Sequence, residues 1–318
     1  MAQNKVRYQR GLSMPEFFDR YGSPEQCESL VRAWRWPEGF ACPRCEGGWH
    51  SEFRRQNRLY FQCSSCRYQC SLVSGTVFES SKLPLPTWFL AMHLMTQAKN
   101  NVSARELKRH LGVSYPTAWL LKHKIMQVMV SREQWRQLTG RVEIDDAYLG
   151  GEVQGGRAGR GSPANKVPFV AAVQTTQSGQ PIYMCLSQRP FTEESIQTFA
   201  EQSLAAPATL VSDGLGCFKA VRGMGILHEP HVTGGGAASA KHPSFLAVNT
   251  ALGNIKTSLS GTYHAFGFRK YAHRYLGQVQ YLFNRRFDLR KVLERLAQAA
   301  SQALPCPLRT VRAAEPSC

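Results

Sequence analysis

The chain has 318 residues, room for two or three domains, and 43% of them are apolar, enough for packed cores. Lys and Arg number 39 against 22 Asp and Glu, a formal charge of +17, which points to a polyanionic partner, nucleic acid before an anionic membrane surface. No apolar run reaches the roughly 18 residues of a spanning helix, and MAQNKVRYQRGLSMPEFFDR lacks a signal-peptide core, so neither a spanning helix nor secretion is expected and the chain reads as intracellular, cytoplasmic.

Residues 12 to 36 read as a helix with Phe17, Phe18, Tyr21, Leu30, Val31 and Trp34 at its apolar positions. CPRCEGGWHSEFRRQNRLYFQCSSC follows, with one CxxC at Cys42 and Cys45 and another at Cys63 and Cys66. Each pair curls back so that both sulfurs face one metal. Two such knuckles close a tetrahedral four-thiolate site, which describes structural Zn2+. The alternative is four unrelated buried cysteines. A small ribbon has little core, so the metal supplies much of its folding energy. Cys70 stands near enough to be a spare ligand, while Cys27, Cys185, Cys217, Cys306 and Cys318 read as core or surface thiols. Arg54, Arg55, Arg58 and Arg67 either meet phosphate or form a solvated face.

Pro84 and Pro86 interrupt the chain before the helical TWFLAMHLMTQAKN. In VSARELKRHLGVSYPTAWLLKHKIMQVM, Ser103 and Glu106 have capping-box spacing. Helices over 104–110 and 115–127 around Gly112 resemble a helix-turn-helix. The start of the second would meet base edges, with Lys108, Arg109, Lys122, His123 and Lys124 on phosphates. An amphipathic hairpin that packs domains together is the alternative. From residue 140 the texture changes. RVEIDDAYLG, VPFVAAVQTTQ, QPIYMCLSQ and ATLVSDG read as strands, FTEESIQTFAEQSLA as a helix, and 155–166 and 233–243 as Gly-rich loops. KYAHRYLGQVQYLFNRRFDLRKVLERL reads as one helix with Tyr271, Tyr275, Leu276, Phe283 and Leu289 as core. Arg269, just before it, and its Lys270, Arg274, Arg285, Arg286, Arg290 and Lys291 track a DNA backbone or line a solvated face. Residues 304–318, with three prolines, read as disordered.

Two strands end in acid: VEIDD at Asp145 and Asp146, LVSD at Asp213. A carboxylate at the end of a core strand is costly unless it is paired or holds a cation. Neighbouring strands that both end in Asp bring oxygens together, and a hard divalent cation resolves their repulsion. Two such metals activate an attacking oxygen and stabilise a leaving one on phosphorus. The alternative is that each Asp caps a helix or turn.

Taken in order, FACPRC, FQCSSC, the 75–126 stretch, VEIDDAYLGGEVQGGRAGRGSPANKVPFVAAV, LVSDG, VNTALGNIKTSLSGTYH and YLFNRRF resemble the IS1595 (ISXO2-like) family of bacterial insertion-sequence transposases from about residue 14 to 290. The resemblance implies an α/β chain whose RNase H-like catalytic domain, a mixed central sheet flanked by helices, follows a zinc ribbon and a helix-turn-helix-like region. The expected limits are 1–82, 83–138 and 139–300, with a tail at 301–318. It further implies Mg2+ (or Mn2+) in the catalytic site and Zn2+ in the ribbon, with DNA strand cleavage and strand transfer as the reaction. The implied partner is double-stranded DNA, both element ends and target, handled by a homo-oligomer that is at least a dimer in synapsis, at the bacterial nucleoid and away from membrane. By the matched motifs, Asp145 is the first catalytic aspartate, Asp213 the second, and Asn249 stands third, a position that is Glu in most DDE enzymes and often Asn in this family. These three would ligate Mg2+, with Lys256 and His264 on the scissile phosphate; for Lys256 the alternative is a surface helix lysine. Asn254 rivals Asn249 but is misplaced relative to Lys256. Asp146 replaces a usual Glu and reads as a neighbour of the site. Arg285 and Arg286 fall in the family's N-R-R motif and would contact DNA. Gln278 and Leu282 depart from a usual Glu and Arg, and Cys70 from a small hydroxyl residue. A DNA-binding regulator without chemistry and a Mg2+-dependent nuclease without strand transfer remain the competing readings.

Overall fold

The computed structural model describes residues 10–150, 166–232, 242–263 and 267–313. The Gly-rich loop expected at 155–166 (save Lys166), most of the loop at 233–243, and His264 lie outside the described residues. The chain divides into two compact units: Met1–Val128 with Phe287–Arg312, and Met129–Arg286 with Ala313–Cys318.

In the first unit, the helix expected over 12–36 is two helices, α1 (Met14–Tyr21) and α2 (Pro24–Arg35). The break has a local cause. Ser13 and Ser23 each open a capping box, with Glu16 and Gln26, and a proline occupies each first turn. Three antiparallel strands follow: β1 (His50–Arg55), β2 (Arg58–Cys63) and β3 (Gln69–Ser71). Gln56 and Asn57 both have positive φ, +49° and +61°, the two-residue turn whose twist matches a tight hairpin. Helix α3 (Leu85–Gln97) buries Trp88, Phe89, Ala91, Met92 and Met95, so its apolar surface exceeds one stripe. Helix α4 (Ala104–Leu111) ends at Gly112, φ +64°, whose N–H donates to the Lys108 carbonyl. Helix α5 (Tyr115–Glu133) is six residues longer than the expected 115–127.

The second unit is built on a five-stranded sheet. Its strands are β4 (Leu138–Leu149), β5 (Val167–Thr175), β6 (Pro181–Gln188), β7 (Leu204–Ser212) and β8 (Ile226–Pro230), in the order β6-β5-β4-β7-β8. The first three in chain order form an antiparallel meander; β7 and β8 run parallel to β4. This is the mixed central sheet flanked by helices that was expected. Strand β8 and the short turn of helix at Gly216–Val221 were not anticipated, because the first is only five residues long and ends in proline and the second is too short to show a period. On one face Val142, Ile144, Val170, Ala172 and Leu210 pack with Ile196 and Phe199 of α6 (Glu193–Ser203). The other face carries α7 (Leu246–Thr262), against β4 and β5, and α8 (Phe268–Phe283), against β5 and β6. Strand alternation therefore puts Glu143 and Asp145 beneath α7, on the face away from Val142 and Ile144.

The long helix expected near the C-terminus is also broken. After α8 the chain turns at residues 284–288 and resumes as α9 (Leu289–Gln302). Val292, Leu293, Leu296 and Ala297 are buried, and α9 packs on α2 and α3 within the first unit, so residues 287–300 do not group with the sheet as the 139–300 limits had it. The expected disorder from residue 304 does not hold over the described residues. Cys306 is buried and α10 (Leu308–Arg312) buries Val311, while 314–318 lie outside the described residues.

The turn between α8 and α9 explains the N-R-R run. The Asn284 side chain accepts from the Met184 amide at 2.8 Å and donates to the Met184 carbonyl at 2.9 Å. Gln280, one turn earlier, accepts from the Leu186 amide at 2.8 Å. Arg286 donates to the carbonyls of Pro181 and Ile182, and Arg285 pairs with Glu133. Gln280, Asn284 and Arg286 cover the open edge of β6, where an uncovered strand would present free N–H and C=O groups. The expectation that Arg285 and Arg286 follow a DNA backbone is corrected accordingly: both guanidiniums are committed to protein acceptors. Arg274, expected on the same DNA-facing surface, is 2% exposed.

Candidate functional site

Two clusters of ligand atoms stand out. In the ribbon, Sγ of Cys42 lies 3.6 Å from that of Cys66, and Sγ of Cys45 lies 3.6 Å from that of Cys63; all four fall within 4.8 Å of one another. A tetrahedron with Zn–S bonds of about 2.3 Å has edges of about 3.8 Å, so the donors fit zinc. Backbone amides prepare the knuckles. The Arg44 N–H reaches Cys42 Sγ at 3.4 Å, and the N–H of Cys66, with that of Ser65, pulls the Cys63 thiol down to about 6. Although the Gly47 N–H favours its thiolate, Cys45 is pushed up to about 12 by contact with the thiols of Cys66 and Cys63. Four sulfurs this close cannot all ionise unless a cation sits between them. Cys70 is buried on β3, and burial pushes its thiol up; it is not among the four.

The second cluster is acidic. One carboxylate oxygen from each of Asp145, Asp146 and Asp213 lies within 4.8 Å of the others. The cause is strand register. Glu143 pairs with Val211 across the parallel strands β4 and β7, so two residues further on Asp145 arrives beside Asp213. Asp145 Oδ1 accepts the Asp146 amide at 2.9 Å, and Asp213 Oδ1 accepts the Leu215 amide at 3.0 Å, which orients both. Gly214, with φ +87°, makes the sharp exit after Asp213. Oxygens on one octahedral hard cation stand about 3 to 4.2 Å apart, so this set suits such an ion. Asp146, read from sequence as a bystander, is brought into the cluster.

Asn249 and Lys256 both lie on α7. Asn249 is half-buried and Lys256 exposed, seven residues apart and so within about 20° on one helix stripe; Asn254 points about 140° away from Asn249 and is exposed. The first turn of α7 is bonded to β4. Glu143 Oε2 accepts the amides of Ala247 at 2.9 Å and Val248 at 3.0 Å. Sequence reasoning passed over Glu143. The available sign was an acid at 143 sharing strand parity with Asp145.

The expected DNA-facing residues divide. Lys108 and Arg109 are exposed on α4. Lys122 and Lys124 are not. Lys122 is 1% exposed and donates to the Val102 carbonyl at 2.8 Å; Lys124 is 8% exposed and donates to the Val77 carbonyl at 3.3 Å. Burial drives Lys122 down to about 7 against the opposing pull of Glu106, and burial lowers Lys124 too. Their assignment to phosphates is therefore corrected, and His123, fully buried, goes with them. In the ribbon, Arg54 pairs with Glu28, Arg58 donates to the Ser81 carbonyl, and Arg55 lies over Tyr60. Arg67 is exposed, and its backbone amide donates to the Cys63 carbonyl at 3.1 Å.

No helix among the described residues is long and apolar enough to cross a membrane. Against known proteins, the profile of the ISXO2-like transposase domain matches residues 137–284, and that of the transposase zinc-ribbon domain matches residues 22–69. A Halobacterium salinarum protein, described as an uncharacterized protein in transposable element ISH50, is 31% identical over 136 residues. The aligned stretch is 42% of this chain and 44% of that protein, so the chain spans less than half of the relative it matches. A solved Mos1 transposase paired-end complex with left transposon end aligns over 68% of this chain and 79% of its own at 12% identity, with a TM-score of 0.21, too slight a likeness to bear on fold or function.

Proposed function

We propose, for a chain that belongs to the ISXO2-like transposase family through its zinc-ribbon and catalytic domains, that it cuts and rejoins DNA at the ends of an insertion sequence. The observation that carries this reading is the meeting of Asp145 and Asp213 across β4 and β7, with Asp146 beside them. Bound there, Mg2+ or Mn2+ would neutralise the scissile phosphate and activate the attacking oxygen. Asp145 and Asp213 supply charged oxygen ligands. The third place belongs to Asn249, whose amide oxygen ligates without charge, with Asp146 as its competitor. Lys256, two helical turns along the same stripe, would neutralise a phosphate oxygen. The reaction class is phosphodiester hydrolysis followed by transesterification, in which the freed 3′-oxygen displaces in line on target DNA.

The remaining parts follow from their chemistry. Zn2+ on Cys42, Cys45, Cys63 and Cys66 holds the ribbon folded. Lys108 and Arg109, on the exposed face of α4, contact the duplex near the element ends. Synapsis of two ends calls for at least a dimer. The test is a DNA duplex bearing the element's own ends, incubated with the full chain and Mg2+. Nicked and joined products are expected. Nicking without joining would make the protein a nuclease, and binding without nicking a regulator.

A further inference from the structure

We propose that Glu143 is a positioning residue of the catalytic site: it caps α7 from strand β4 and so sets where Asn249 and Lys256 stand relative to the Asp145–Asp213 pair. The inference rests on the transposase reading above. Helix α7 lacks a cap of its own, since Phe245 at its N-cap offers no side-chain acceptor. The amides of its first turn still need partners. They find them on another element: both Ala247 and Val248 donate to Glu143 Oε2, 104 and 105 residues away in sequence. The other oxygen, Oε1, takes the Arg141 guanidinium, which also donates to the Ser244 carbonyl at 2.9 Å and Thr175 Oγ1 at 3.2 Å. Arg141 thus clamps the short turn Pro243–Phe245 that leads into α7.

Three features make this more than packing. Glu143 is 1% exposed, and a buried carboxylate is tolerated only when its lone pairs are filled. Here a helix N-terminus and a guanidinium fill them, so the next acid along β4 on the Asp145 face is kept from competing for the cation. The rest of the α7 contact is made by Ala247, Val248, Ala251, Leu252, Ile255 and Leu259. Apolar contact is non-directional and fixes the axial position of a helix poorly. The Glu143 bonds are directional, and they hold the residue immediately before Asn249.

The experiment compares Glu143→Gln, Glu143→Met and Asn249→Ala, singly and combined, reading Mn2+ affinity by calorimetry, Mg2+-dependent nicking, and thermal unfolding. Gln keeps an acceptor oxygen for the two amides and is isosteric, so it stays informative if the Met variant does not fold. Expected are losses of nicking of about 10-fold for Gln and about 100-fold for Met, with Mn2+ affinity lowered about 3-fold or more in each. In the Asn249→Ala background, either Glu143 change should alter Mn2+ affinity by less than about 2-fold, because the two residues act as one unit. Losses that are equal in both backgrounds, or wild-type cation affinity with folded Glu143→Gln, overturn the proposal. Nicking that survives Asp145→Ala would instead overturn the transposase reading, so the two failures are separable.

Discussion

The thiol cluster and the carboxylate cluster answer the same demand, several ligand atoms within 4.8 Å, by opposite means. The ribbon takes all four ligands from one short stretch, two knuckles shaped by local amides. The set is saturated, leaving no position for substrate. The acidic set is drawn from two strands whose register brings Asp145 to Asp213, and its third charged member is a sequence neighbour. It remains short of a full coordination shell. On the proposed reading, the difference makes the first site a staple, whose loss costs fold, and the second a tool, whose loss costs chemistry.

That contrast breaks first at the carboxylates. Asp145→Ala or Asp213→Ala should lower nicking by about 1,000-fold or more while thermal unfolding and DNA affinity stay near wild type. A comparable fall in stability in both variants would make the cluster structural. The complementary outcome belongs to the thiols. Chelating zinc, or Cys63→Ser, should melt the ribbon and weaken DNA binding, while the catalytic unit keeps its own cooperative transition; a metal assay that finds no zinc in purified protein removes the assignment. Sharper still is the choice of third ligand. Asn249→Ala should reduce Mg2+-dependent nicking by about 100-fold and Asp146→Asn by about 10-fold, and the reverse order would give the place to Asp146.

Two smaller effects sharpen the helical region beside the ribbon. Lys122 is held down at about 7 by burial against an ordinary 10.5, so between those values the unfolded chain carries more protons than the folded one. Stability should therefore rise with pH across that window, by on the order of a few kcal/mol. Lys122→Met should flatten the rise and raise the melting temperature at pH 7, net of the lost bond to Val102. At the exposed face, Lys108→Ala and Arg109→Ala should each reduce the salt slope of DNA binding by about 1, whereas Lys124→Met should leave the slope unchanged.

How much was legible depended on the range of the cause. The cysteines could be read because both knuckles are written in local spacing. Asp145 and Asp213 could be read because an apolar run ending in acid is a local anomaly. Glu143 could not, since its partners are backbone amides that every residue carries, 104 residues away. Lys122, His123 and Lys124 misled because a basic triplet within a helix looks solvated until the helix proves to be enclosed on most sides. Arg285 and Arg286 misled for the converse reason: their motif was noticed, but the Glu133 carboxylate that Arg285 meets and the β6 carbonyls that Arg286 serves lie more than a hundred residues earlier. The splits at Ser23 and Asn284 show how the apolar period runs on past a point where caps stop the helix.

The covered rim of β6 has a further consequence. Gln280, Asn284 and Arg286 already occupy the amide of Leu186, both polar groups of Met184 and the carbonyl of Ile182. A neighbouring copy approaching along that rim meets these groups already bonded, which disfavours strand-by-strand growth into fibres there. A pairing of subunits through that rim would have to rest on side chains, not on an added strand.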